Sequence, residues 1–137
     1  MIITIDLNVI LDVILQRGDF LPAAEILSMC TDKKINGHIP FHAIPTIFYF
    51  LDRDLGNQKA MQAIDNLLDI CSVIPADRAL LDLARKLNFS DFEDAIVTIS
   101  AMKYNSEFIV TNNIKDFAQS KIKAMTPKEF IEKVAFA

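Results

Sequence analysis

Four aspartates fall where strands are expected to hand over to helices: Asp6 after the opening MIITI, Asp91 and Asp94 in SDFEDA, and Asp116 in TNNIKDF. The chain carries no conventional nucleophile–base pair, no glycine-rich phosphate loop and no cysteine metal motif. Carboxylates are therefore the chemistry on offer. Carboxylates drawn together from distant segments repel unless positive charge lies between them. A divalent cation supplies that charge, and oxygen-only ligands suit Mg²⁺ or Mn²⁺ rather than zinc. Such a site handles phosphate through a metal.

Each acid also has a purely structural reading. Asp6 can cap the helix that follows it, Asp91 can complement a helix dipole, and Asp116 can brace the turn IKDF. Asp94 resists that treatment, because Phe92, Ala95, Ile96 and Val97 surround it. A carboxylate beside an apolar helix face is costly without a partner. Any one acid alone is explained by structure; the convergence of four favours a site.

The elements that must position them follow from periodicity. Met1–Ile5 is a short, β-branched run that reads as a buried strand. Asn8–Leu15 carries apolar residues at helical spacing. Asp19 is expected to cap a helix over Phe20–Lys33 that Gly37 stops, and His38–Pro40 is a brief strand. An apolar helix within Phe41–Asp52 should start near Ala43 or Ile44, since Pro45 is best tolerated in a first turn. Asn57 is expected to cap a helix to about Leu68, Cys71–Ile74 is a strand, and Asp77 caps a helix through Leu87. Ser90 and Glu93 form a capping box, which starts a helix just before Asp91 that runs to about Tyr104. Strands over Glu107–Thr111 and Ile122–Met125 come next, then a second capping box, T-P-K-E, with Pro127 at the first helical position. Strands alternating with helices predict an α/β fold with a mostly parallel sheet covered on both faces. Ligands of such sheets bind outside the carboxyl ends of the strands, where Asp6 and Asp116 fall.

The 137 residues suit one domain, residues 1–137, with no linker or repeat. Hydrophobic residues make up 52% and mean hydropathy is +0.28, yet no apolar run approaches the ~20 residues that span a bilayer. The opening strand lacks the basic stretch and cleavage site of a signal peptide, so a cytoplasmic protein is expected. Cys30 and Cys71 are read as buried thiols rather than a disulfide. A net charge of −4 argues against a nonspecific nucleic-acid coat, although a bound metal reverses the sign of an acidic pocket.

Here the residues carry a resemblance. IDLNVILD resembles the D-x-N-x-x-x-D opening of PIN-domain proteins, and DFEDA followed by IVTNNIKDF resembles the second half of that family, in the branch often grouped with toxins of bacterial toxin–antitoxin pairs. The resemblance spans essentially the whole chain. It implies a three-layer α/β/α fold and metal-dependent cleavage of single-stranded RNA. It further implies frequent homodimers, and neutralisation by an antitoxin that reaches the carboxylates with an arginine. In it, Asp6, Asp94 and Asp116 hold Mg²⁺ or Mn²⁺, and Asn8 braces Asp6. The residues' own chemistry adds Asp91 as a fourth catalytic acid, Thr111 as a hydrogen-bond partner of a phosphate or a metal ligand, and Asn113 as a neutral oxygen donor.

Two departures stand out. The helix acid usual in the family is missing from Phe41–Ile47, and Thr111-Asn112-Asn113 replaces the common T-x-D. Fewer ligand charges predict weaker metal binding. A binding module without cleavage is therefore the alternative. A phosphate-accepting receiver ranks last, because Asp6 stands alone after its strand.

Other features are given ordinary roles. His38 and His42 are read as partly buried or loop histidines, Asp12 as a helix-face acid, and Phe48–Phe50 as core or dimer interface. Lys115, Lys121 and Lys123 are placed near the RNA backbone or on a solvated face.

Overall fold

The computed structural model describes residues 1–135. Its order is β1 (Ile2–Ile5), α1 (Leu7–Leu15), α2 (Leu21–Thr31), β2 (Asn36–Pro40), α3 (Ala43–Leu55), α4 (Asn57–Ile70), β3 (Ser72–Ile74), α5 (Arg78–Arg85), α6 (Phe92–Lys103) and β4 (Phe108–Val110). A 3₁₀ turn (Ile114–Phe117) then leads to β5 (Lys123–Met125) and α7 (Pro127–Phe130), which widens into a π-type turn over Ile131–Ala135. The sheet is parallel, in the order β3-β2-β1-β4-β5. This is the expected three-layer α/β/α arrangement.

Strand alternation assigns the two faces. Ile3, Ile5, Ile39 and Val110 point into the larger core, with α1 to α4 and Phe130 of α7 above them. Ile109 points the other way, to Val97 and Ala101 of α6 and Phe117 of the 3₁₀ turn. On that face Thr4 and Ser106 satisfy one another through a buried hydroxyl–hydroxyl bond of 2.6 Å. α5 packs on α6 through Leu80, Ala84, Ala95 and Ile99.

Several expected boundaries move, each for a local reason. α2 begins after Phe20 with no side-chain cap, so Asp19 does not cap it; Pro22 supplies the preset first turn instead. The helix ends at Thr31, and Lys33 makes the turn in the left-handed region at φ 57°. Gly37 does not stop it. Gly37 lies in β2, where a Cβ would come within 2.7 Å of Cys30 Sγ and 3.2 Å of Cys71 Sγ. The two cysteines, distant in sequence, thus meet as free, buried thiols over one glycine. Cys71 keeps its proton, since the neighbouring Cys30 thiol and burial both push it up.

Asn57 is the first residue of α4 rather than its cap. Gly56 holds the junction at φ 88°, a left-handed value that also ends α3. Asp77 does cap α5, accepting the Leu80 N–H at 2.8 Å. Thr126 caps α7 by accepting the Glu129 N–H at 3.1 Å, with Pro127 at the first position as expected. Pro45 sits in the first turn of α3.

Candidate active site

Strand order creates the site. The chain runs outward from β1 through β2 to β3, then crosses back to place β4 on the other side of β1. Between β1 and β4 the connections diverge, which opens a crevice at the carboxyl ends of the strands. Ile5 pairs with Val110, so the next residues, Asp6 and Thr111, stand side by side at its floor.

Asp6 is 5% exposed and well held. Its Oδ1 accepts the Leu7 N–H at 2.9 Å, and its Oδ2 accepts the Thr111 hydroxyl at 2.9 Å. The Thr111 Oγ1 in turn accepts the Asn113 N–H at 3.0 Å. Burial raises the Asp6 carboxyl above its usual range, with Glu93 adding to the rise, while Thr111 and Leu7 oppose it.

α6 brings the next acids to the same mouth. Asp91 is its cap, with Oδ1 accepting the N–H groups of Glu93 at 2.8 Å and Asp94 at 3.2 Å. The capping box expected of Ser90 and Glu93 is not formed: Asp91 takes the role one residue later, and the Glu93 side chain turns away to His42. Asp91, Glu93 and Asp94 each place a carboxylate oxygen within 4.8 Å of the others. Asp94 is 9% exposed, and its carboxyl is pushed up to about 7, by burial first and then by repulsion from Asp91, Glu93, Asp116 and Asp6. Five carboxylates therefore feel one another at this point. Asp116 stands exposed on the 3₁₀ turn.

The structure redistributes the supporting roles. Asn8 is exposed, and among the described residues Thr111, not Asn8, gives Asp6 its side-chain bond. The Asn113 backbone, rather than its side chain, enters the network. Asn112 reaches Asp12 at 2.6 Å, and Asp12 also pairs with Arg17 at 3.0 Å. Asp12 thereby ties α1 to the loop after β4. Two residues of the site escaped the sequence reading. Sequence spacing makes Glu93 a capping residue, although its place beside Asp94 is a signal. His42 is partly buried, as expected, in the turn that starts α3, but it also reaches the acids: its Nε2 lies 3.3 Å from Glu93 Oε1. It stands in the stretch where the family acid is missing.

The arrangement gathers oxygen donors at the carboxyl edge of a parallel sheet, and comparison agrees with the fold. Residues 3–115 match the PIN domain family, and the chain belongs to it. It is similar to "Ribonuclease VapC1" of Aquifex aeolicus (strain VF5), 27% identical over 135 residues that cover 94% of this chain and 92% of the relative. Among solved structures it resembles VapBC2 from Rickettsia felis bound to a promoter DNA fragment, with a TM-score of 0.70 and 17% identity over 92% of this chain and 98% of the other. VapBC-1 of nontypeable Haemophilus influenzae follows at TM-score 0.69 and 14% identity, over 93% and 99% of the two chains. A toxin–antitoxin complex from Klebsiella pneumoniae gives 0.67 and 19%, over 90% and 96%.

Proposed function

We propose that this chain is a divalent-metal-dependent ribonuclease that cuts single-stranded RNA and serves as the toxin of a toxin–antitoxin pair. The observation that carries the reading is the convergence of Asp6, Asp91, Glu93, Asp94 and Asp116, with Asp94 pushed to about 7 by burial and like charge. An uncompensated cluster of this kind is expensive unless a cation joins it. The donor set fits one, since every candidate ligand atom is a carboxylate oxygen, the set that suits Mg²⁺ or Mn²⁺. The family, the relative named a ribonuclease and the toxin–antitoxin complexes among similar folds support the same reading.

Asp6, Asp94 and Asp116 would hold the ion, with Glu93 and Asp91 beside them. When bound, it neutralises charge on the phosphoryl oxygens and makes water a better nucleophile. The protein's own groups do the rest. Thr111 and the Leu7 N–H fix the direction in which Asp6 presents its oxygens. His42 anchors Glu93 against the repulsion of its neighbours. Asp91 or Asp116 orients the attacking water, whose oxygen forms a bond to phosphorus as the leaving oxygen departs in line.

A binding module without cleavage is the second reading, favoured by His42 in place of the usual helix acid. Glu93 argues against it by restoring a carboxylate. Cleavage of mixed-sequence single-stranded RNA in Mn²⁺, Mg²⁺ or EDTA separates the two. The expected result is metal-dependent cutting that disappears in Asp6→Asn/Asp94→Asn. Folded protein that cuts under no metal leaves the binding module standing.

The partner would be an antitoxin laid over the acidic mouth, and the setting the cytoplasm. Among the described residues no helix is long and apolar enough to cross a membrane. A homodimer is the proposed state, and Phe41 and Leu68, 56% and 46% exposed, leave apolar surface on one face for it. Sedimentation should then give twice the chain mass of 15.4 kDa.

A further inference from the structure

Beside the acidic mouth lies a second concavity of about 220 Å³, lined by Asn88, Phe89 and Ser90 from the α5–α6 loop and by Lys115, Asp116 and Gln119 around the 3₁₀ turn. We infer that this cavity is a nucleobase subsite, which seats the base next to the phosphodiester being cut. The inference rests on the ribonuclease reading and adds to it the means of choosing where to cut.

Position comes first. Asp116 belongs both to the cavity wall and to the acids acting on Asp94, and Ser90 directly precedes the cap residue Asp91. The cavity therefore adjoins the carboxylate cluster and shares Asp116 with it, so a strand with its phosphate at the cluster places a neighbouring base here.

Chemistry selects a base over other occupants. The volume is below the ~300–1,000 Å³ of usual small-molecule sites, so one ring system fits and a whole cofactor does not. Asp116 in the wall disfavours a phosphate or other anion inside, whereas a base is neutral. Among the described residues, Asn88 and Gln119 make no side-chain hydrogen bond. Each amide carries both donors and an acceptor, the pairing that reads the edge of an unstacked base. Phe89 is anchored against Leu80, Ala84, Ala95 and Ile99, and so brings a fixed aromatic surface to the lining on which a base can stack. Lys115 forms no ion pair among the described residues. It is placed to meet the adjoining backbone phosphate, which matters in a chain of net charge −4. Single-stranded RNA offers splayed bases; a duplex does not.

The test has two arms, run on wild type and on Asn88→Ala/Gln119→Ala. Both replaced side chains are exposed, and an unchanged melting temperature confirms folding. In the first arm, saturation-transfer NMR in EDTA compares binding of adenosine, cytidine, guanosine and uridine, which are neutral and cannot be cut. The expected result is that wild type prefers one nucleoside and the double variant loses that preference by about tenfold, the scale of one amide–base pair. In the second arm, cut sites are mapped on mixed single-stranded RNA with Mn²⁺, and the same base should flank them. Nucleoside selection without any cutting sustains the subsite and removes the nuclease. Cutting with no flanking preference, or a preference unchanged in the double variant, overturns the subsite and leaves the nuclease intact. No nucleoside selection in wild type overturns it as well.

Discussion

At the residue scale, Asp6 and Asp94 are two buried carboxylates kept by different means. Asp6 has donors on both oxygens, from Leu7 and Thr111. Removing the hydroxyl in Thr111→Val leaves a buried acceptor unmet, which should cost about 1–3 kcal/mol, whereas Thr111→Ser keeps the bond. Urea denaturation of the two variants decides; equal stability would show that Thr111 does not support Asp6. Asp94 lies in repulsion instead. Its folded form holds the proton up to about pH 7, against an ordinary value of 3.8. The folded state therefore binds more protons than the unfolded state across that window, and stability falls as pH rises from about 4 to about 7. Asp6 is raised too and acts in the same direction. In EDTA the melting temperature should drop between pH 5 and pH 7.5, and Asp94→Asn should flatten the drop. A wild-type curve that is already flat would deny the crowding.

At the element scale, the ends of the helices carry most of the lessons. Asp77 and Thr126 cap as their local patterns require, since side chain and amide lie within three residues. At α6 two adjacent candidates competed. Asp91 took the position by accepting the Glu93 and Asp94 N–H groups, and the Glu93 side chain goes instead to His42, 51 positions away in sequence. Gly37 illustrates a different demand. It reads as a helix stop, yet the strand needs it because Cys30 and Cys71 crowd the place of its missing side chain. Gly37→Ala should destabilise the protein by about 1–3 kcal/mol as overpacking. Adding Cys30→Ala should return part of that loss, since Cys30 Sγ is the nearest atom. Additive losses in the double variant would place the strain elsewhere.

At the scale of the whole molecule, the acids sit around the carboxyl ends of the interior strands β1 and β4, and the main core lies among α1 to α4 and α7. Chelation should therefore abolish cutting while the far-UV circular dichroism stays that of the folded chain. Mn²⁺ at a hundred times its Kd should add about 2.7 kcal/mol of stability, because it binds the folded state alone. Asp6→Asn/Asp94→Asn should lose that increment. An increment that persists in the variant would move the metal away from this mouth.

Much of this architecture was legible in one dimension. Apolar periodicity and short-range capping decide where helices and strands lie, and these depend on residues a few positions apart. The carboxyl ends of the strands, and so the placing of Asp6 and Asp116, follow from the same patterns. The partners across the sheet did not follow. Thr111 meets Asp6 across 105 positions, and Thr4 meets Ser106 across 102, because β4 crosses back to lie beside β1. Glu93 and His42 meet across 51 positions, and Cys30 and Cys71 meet over Gly37 where β2 lies beside β3. Strand order and register bring such pairs together through the packing of the entire chain, and no local spacing encodes that.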